Sequence, residues 1–296
     1  MNRDISLSPW YSSPITWIGR CALELMDYLG SLALLTVRAL KSLWRPEGAV
    51  APFVPALLNQ LDWLFLAGIP LVTLVNFGMG SFLSMQAYFG ATFVVATGPV
   101  VGVGLIRNVA PLLTGLLLVG LWSARTTAEL KGHVHAGIDG EPIEEPDRDF
   151  ARGRRHPVPT DKGRITLVRV VAGVIAGPVL ALWGGVVGTV VGCLVAHRMF
   201  NLQPVDYLTG FWEMLWLRDV VGLAIKGMAF GGVTALLACH EGLIPPIDSK
   251  GVPRAMLRSA ILGMLVVLTI NSAWFLVVYR SGLWFGPTVL PSPAAN

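Results

Sequence analysis

Residues 165–197 read ITLVRVVAGVIAGPVLALWGGVVGTVVGCLVAH, and Arg169 is the only Asp, Glu, Lys or Arg among them. About 20 apolar residues suffice for a helix to cross the hydrocarbon core of a bilayer, so this stretch reads as a membrane-spanning helix. Working outward, four more runs have the same character: Trp63–Met85, Ala91–Trp122, Val220–Cys239 and Met256–Tyr279. The expectation is an all-α integral membrane protein with five transmembrane helices. Ala91–Trp122 and Ile165–His197 are longer than one straight crossing requires. They carry Pro99 and Pro111, and Pro178 with Gly184-Gly185, so kinked or tilted helices are expected in place of extra spans.

Composition agrees. Of 296 residues 54% are apolar and 14% charged, and the mean hydropathy is +0.64. An average soluble domain is about 25% charged, so neither a water-coated globule nor a disordered chain fits. The formal charge of +4 calls for no nucleic acid, because Lys and Arg held beside anionic headgroups account for it. Cys21, Cys193 and Cys239 show no CxxC or Cys/His spacing and read as packing residues. His133-x-His135 lacks a third ligand at metal spacing, so no metal is assigned. There is no G-x4-GK[ST] loop, no G-x-G-x-x-G after a strand and no nucleophile–base pair. Nucleotide binding by this chain and catalysis by it are therefore not expected, and no cofactor is assigned.

Outside the spans the chain divides into three aqueous or interfacial pieces. Residues 1–50 form an N-terminal segment in which Arg20, Glu24, Asp27, Ser31, Arg38, Ser42 and Arg45 share one helical sector. Such a stripe predicts an amphipathic helix lying in the interface. Residues 51–285 hold the spans, interrupted by a long connection at 124–164 with eight acidic and eight basic residues; its start, Arg125–His135, can continue a helix. Residues 286–296 form a Pro-containing tail, expected to be mobile. Seventeen of the 22 basic residues fall in the N-terminal segment, the 124–169 region and the connection before the fifth span. By the positive-inside rule the N-terminus is cytoplasmic and, after five crossings, the C-terminus is outside.

Two features inside the spans stand out. Gly184, Gly188 and Gly192 repeat every four residues, a pattern that lets helices approach closely and is read first as a packing groove. Arg107 and Lys226 are ionisable residues at membrane depth, where charge is costly. Lys226 can reach the interface by snorkelling. Arg107 is placed too deep for that, which leaves a hydrogen bond to helix carbonyls near Pro111 or a polar vestibule that meets an anionic headgroup.

The order of motifs resembles the MlaE/YrbE family of ABC-transporter permeases, which work with MCE proteins in lipid transport. GSFLSMQAY (Gly80–Tyr88, including Gln86) is similar to the family's G-M-V-L-x-L-Q-x-Y. RNVAPLLTGLLLVG (Arg107–Gly120) is similar to R-E-L-G-P-V-L-T-A-L-L-V-A-G, and Ala128-Glu129-Leu130 falls on A-E-L-G without a gap. IKGMAFG (Ile225–Gly231), CHEGL (Cys239–Leu243) and GVPRAMLRSAI (Gly251–Ile261) resemble I-K-S-x-x-F-G, C-Y-x-G-L and G-V-G-x-A-T-x-x-A-V.

This resemblance implies a transporter subunit of a bacterial inner membrane that is not itself an enzyme. Its partners would be a separate ABC ATPase that uses the ATP, an extracytoplasmic MCE lipid-binding protein and a second permease chain. Gln86, Arg107, Asn108, Pro111 and Lys226 become candidates for the lipid path, and Arg125, Ala128, Glu129 and Leu130 for coupling to the ATPase. Three departures bear on this. Asn108 stands where the family has Glu, which removes a charge beside Arg107, and Leu121 stands where it has Arg. KGHVHAGIDGEPIEEPDRDF (Lys131–Phe150) replaces the family's T-E-Q-I-D-A-L coupling segment. These departures suggest the divergent half of a heterodimer, with a non-transporting membrane scaffold that binds proteins through its 124–164 loop as the alternative.

Overall fold

The computed structural model describes residues 14–44, 53–90, 97–139, 162–243 and 251–280, and in it these residues are almost wholly helical. The helices are α1 (Pro14–Trp44), α2 (Phe53–Gly90), α3 (Thr97–Gly104), α4 (Ala110–Asp139), α5 (Lys162–Phe200), α6 (Pro204–Met214), α7 (Leu217–Leu243) and α8 (Gly251–Arg280). A single π turn, Leu105–Val109, joins α3 to α4. Among the described residues five stretches are long and apolar enough to cross a membrane: Phe53–Gly90, Gly98–Leu130, Gly163–Phe200, Leu217–Leu243 and Gly251–Val278. The described part of each over-long run falls within one such stretch, and α5 passes through Pro178 without interruption. The start of the expected second span, 91–96, lies outside the described residues, as do the 286–296 tail and residues 1–13.

α5 is the central post, and glycine decides how its neighbours meet it. On one side α2 presents Val72, Asn76, Gly80 and Ser84, four buried residues at four-residue spacing. A Cβ on Gly184 would stand 2.6 Å from Asn76 Nδ2, one on Gly192 2.8 Å from Ser84 Oγ, and one on Gly80 would overlap the Gly188 carbonyl. The glycine stripe is thus the packing groove that its spacing predicts. On another side Gly173 and Gly177 face Gly231 and Gly227 so closely that a Cβ on either of the first pair would strike α7 backbone. With lipid tails as apolar as Leu, this backbone-to-backbone fit supplies the dispersion contact that holds such helices together.

α1 packs against α5 and α7. Leu35 and Ala39 are buried, whereas Leu25, Met26, Leu29 and Leu40 are exposed. The bundle-facing edge lies beside the polar stripe, so the helix has three sides and not two. Ser31, read as part of the water-facing stripe, stands at the boundary and reaches His240 instead.

At the start of the 124–164 connection the helix continues, as expected for Arg125–His135: α4 runs to Asp139 and buries Thr126, Thr127 and Leu130 against the bundle. Between the third and fourth spans lies α6, a helix that the sequence reading does not single out. Pro204 opens this helix at its first position, where a missing N–H costs nothing. Tyr207 and Phe211 then seat on Gly98 and Gly102 of α3. Burial raises the Tyr207 phenol above its ordinary pKa.

Candidate functional site

The π turn is where the second span departs from regular geometry, and it carries Arg107. Pro111 has no N–H to offer the carbonyl four residues back, which is that of Arg107. In an apolar bundle an unpaired carbonyl is costly. The Lys226 ammonium, from α7, donates to this carbonyl at 2.9 Å and to Asn108 Oδ1 at 3.2 Å, and lies 5.9 Å from the centre of the Trp274 ring. Lys226 is buried, 4% exposed, so it does not snorkel. It takes the place of the hydrogen bond that Pro111 removes.

The Arg107 side chain points the other way and is neutralised from a distance in sequence. Its Nη2 donates to Asp219 Oδ2 at 2.9 Å and to the Met214 carbonyl at 3.2 Å, and its Nε stands 2.9 Å from Asp219 Oδ1. Asp219, in the first turn of α7, also accepts from the Trp216 N–H at 3.0 Å. The expectation that Asn108 leaves Arg107 without a balancing charge is therefore corrected: the charge comes from Asp219. Together these bonds staple the Met214–Trp216 elbow, between α6 and α7, to the π turn.

This staple borders a cleft of about 490 Å³ lined by Val100, Val103 and Gly104 of α3, Arg107 and Asn108 of the π turn, and Glu213, Met214 and Trp216. The Asp219 side chain is 6% exposed and that of Arg107 34%, so the pair shows its cationic partner to the cleft. Chemically this is an apolar slot with one guanidinium edge inside and a carboxylate, Glu213, among its lining groups, a shape suited to an amphiphile.

Of the lipid-path candidates, Arg107 and Asn108 line the cleft, Lys226 supports it from behind, and Pro111 is buried and acts through the carbonyl it frees. Gln86 is exposed on α2 and is not among the lining residues. Sequence reading missed Asp219, Glu213 and Trp216. Asp219 had a signal, an acidic residue directly before the apolar run that starts at Val220.

The coupling candidates sit at the opposite end. Arg125 pairs with Glu129, and Arg169 of α5 donates to the second oxygen of the same carboxylate at 2.8 Å. The Arg125 guanidinium covers the Trp63 ring at 4.5 Å. Leu130 is buried against Gly242, and Ala128 is half-buried. Residues 140–161 lie outside the described residues. Nearby, where α1 meets α7 and α8, His240 Nε2 is 2.7 Å from Ser31 Oγ and its ring lies edge-on to Tyr28 at 4.7 Å. Arg258 reaches Glu241 at 3.6 Å. Burial, reinforced by the Glu241 carboxylate, raises the Tyr28 phenol above its ordinary pKa.

Comparison with known proteins adds to this geometry. The family model described as Permease MlaE matches residues 57–133 and 162–277. A probable ABC transporter permease protein of Rickettsia typhi is 26% identical over 260 residues, covering 86% of this chain and 93% of the relative. The intermembrane phospholipid transport system permease protein MlaE of Haemophilus influenzae is 24% identical over 278 residues, covering 90% of this chain and 98% of that one.

Proposed function

The chain belongs to the MlaE permease family, and on that premise we propose that it moves a phospholipid, or a lipid of similar build, between its own membrane and an extracytoplasmic lipid-binding MCE protein. ATP is hydrolysed by a separate ABC ATPase, and a second permease chain completes the membrane unit. The membrane is the inner membrane of a bacterium, with the α1 end in the cytoplasm, as the distribution of basic residues supports. The observation that carries the reading is the cleft: one partly exposed guanidinium among apolar walls, next to a helix elbow that this same guanidinium holds.

In this reading a phosphate or another anionic headgroup group approaches the open edge of Arg107 while the apolar part of the lipid lies along Val100, Val103 and Met214. Asp219 keeps the guanidinium aimed and lowers the cost of a charge at this depth. Because the pair is already balanced, the headgroup is held loosely, which suits a carrier that must release what it binds. Lys226 and Asn108 fix the π turn from behind. At the other end, Arg125, Ala128 and Glu129 are the partly accessible positions through which closure of an ATPase reaches α4 and α5. The Lys131–Phe150 sequence, unlike the family's coupling segment, makes this chain the divergent half of a heterodimer.

Two measurements test the reading. Arg107→Ala, purified with its native partners, is expected to retain less co-purified phospholipid than the parent, and unchanged lipid occupancy removes the headgroup role. Mass measurement of the purified complex is expected to show two different permease chains with one ATPase pair, whereas a working homodimer with ATPase bound removes the heterodimer.

A further inference from the structure

α6 has a face that packing inside the chain does not use. Tyr207, Gly210 and Phe211 turn toward α3. Of the remaining positions, Val205, Leu208 and Trp212 recur at helical spacing and are 71%, 45% and 66% exposed. Asp206, Thr209 and Glu213 recur at the same spacing about a quarter-turn away and are exposed too. The helix is therefore three-sided, with core, apolar and polar edges each at its own azimuth. A helix whose outer half meets water alone has no use for the apolar edge, and one sunk in lipid has no use for the acidic one.

The surroundings identify what covers the apolar edge. α6 is tied by three residues to the end of one membrane-spanning helix and by two to the start of the next, so it lies at the level where these helices leave the bilayer. At that level the side chains are aromatic: Tyr88 stacks on Phe200 at 3.3 Å, Phe89 meets Phe200 edge-on at 5.9 Å, and Trp216 is 54% exposed. Rings gathered at one depth mark a membrane–water boundary. Leu217 and Val221, at the head of α7, carry the exposed apolar surface from the elbow into the span without a break.

We infer that α6 is a membrane-binding helix that lies in the interface, with Val205, Leu208 and Trp212 inserted among the lipids and Asp206, Thr209 and Glu213 in water. Its occupant is the lipid surface, in continuity with the lipid-facing side of α7, and not a protein. Because Glu213, Met214 and Trp216 also line the cleft, the inserted helix sets the cleft mouth at headgroup depth. This inference does not depend on Arg107 meeting a headgroup: the α6 depth and the lipid occupancy of Arg107→Ala are separate readouts, and either can fail alone.

The test uses the full chain with Cys21 and Cys193 replaced by Ala. Single nitroxide labels are placed at Leu208→Cys and Trp212→Cys on one edge and at Asp206→Cys and Thr209→Cys on the other. The protein is reconstituted in vesicles of phosphatidylethanolamine and phosphatidylglycerol, and collision with oxygen and with a water-soluble nickel chelate is measured by power saturation. Oxygen-to-nickel ratios several-fold higher at 208 and 212 than at 206 and 209 are expected. Equal ratios at all four sites overturn the inference, as does shielding of 208 and 212 from both reagents, which would mean that protein covers them. Val205→Cys supplies the apolar edge with a substitute site if Trp212→Cys lowers the yield of folded protein.

Discussion

The two ends of the bundle solve one problem in different ways. At the α6 end Arg107 is balanced by Asp219, and at the α1 end Arg169 is balanced by Glu129, which also holds Arg125. Both are guanidinium–carboxylate pairs on membrane-spanning helices. In the first, the carboxylate is sealed and the cation is open, with side-chain exposures of 6% and 34%. In the second the order is reversed: Arg169 is 7% exposed and Glu129 32%. A charge at membrane depth is thus not in itself a sign of a ligand site. What matters is which member of the pair meets open space, and at the α6 end it is the cation beside a cleft.

The contrast can be broken most forcefully at the sealed cation. Glu129→Ala leaves Arg169 buried without its partner and is expected to cost about 3 kcal/mol of stability, read as a lowered unfolding midpoint in detergent. Lipid occupancy of the cleft should stay as it was, and a loss of bound lipid would show that the two ends are not independent. A smaller effect is expected from Lys226→Met, which strands the Arg107 carbonyl at about 1–3 kcal/mol. Adding Pro111→Ala restores an N–H for that carbonyl and should recover most of the loss, and a double variant no better than Lys226→Met alone would exclude the carbonyl as the reason Lys226 is there. Least costly is Ser31→Ala, at about 1 kcal/mol for one hydrogen bond to His240. Its signature is faster amide exchange confined to α1, and a global change would mean that Ser31 supports more than the docking of that helix.

What could be read from the chain alone follows from how far each interaction reaches along it. The five spans were legible because an apolar run of span length is a local property, and the Gly184–Gly188–Gly192 groove because its spacing is. α6 was not, since 11 residues do not make a span and its apolar, acidic and core positions are interleaved; Pro204 and the 205–208–212 spacing were the available signals. The pairing of Arg107 with Asp219 crosses 112 positions, and no one-dimensional pattern joins them. Looking only at its neighbour, Asn108, suggested a missing charge that the fold supplies from α7. Lys226 was legible as an oddity, but its role required knowing that Pro111 leaves a carbonyl within its reach.

The two glycine faces of α5 also constrain how the protein is made. α2 leaves the ribosome before α5 and α7 after it, so the groove that meets Gly80 can be filled as soon as α5 enters the bilayer, while the Gly173–Gly177 face must wait for Gly227 and Gly231. During synthesis α5 therefore exists for a time with one side docked and the other, its barest backbone, turned toward lipid. For these two faces assembly is ordered by the direction of translation, and the later contact to close is the one with the least side chain in it.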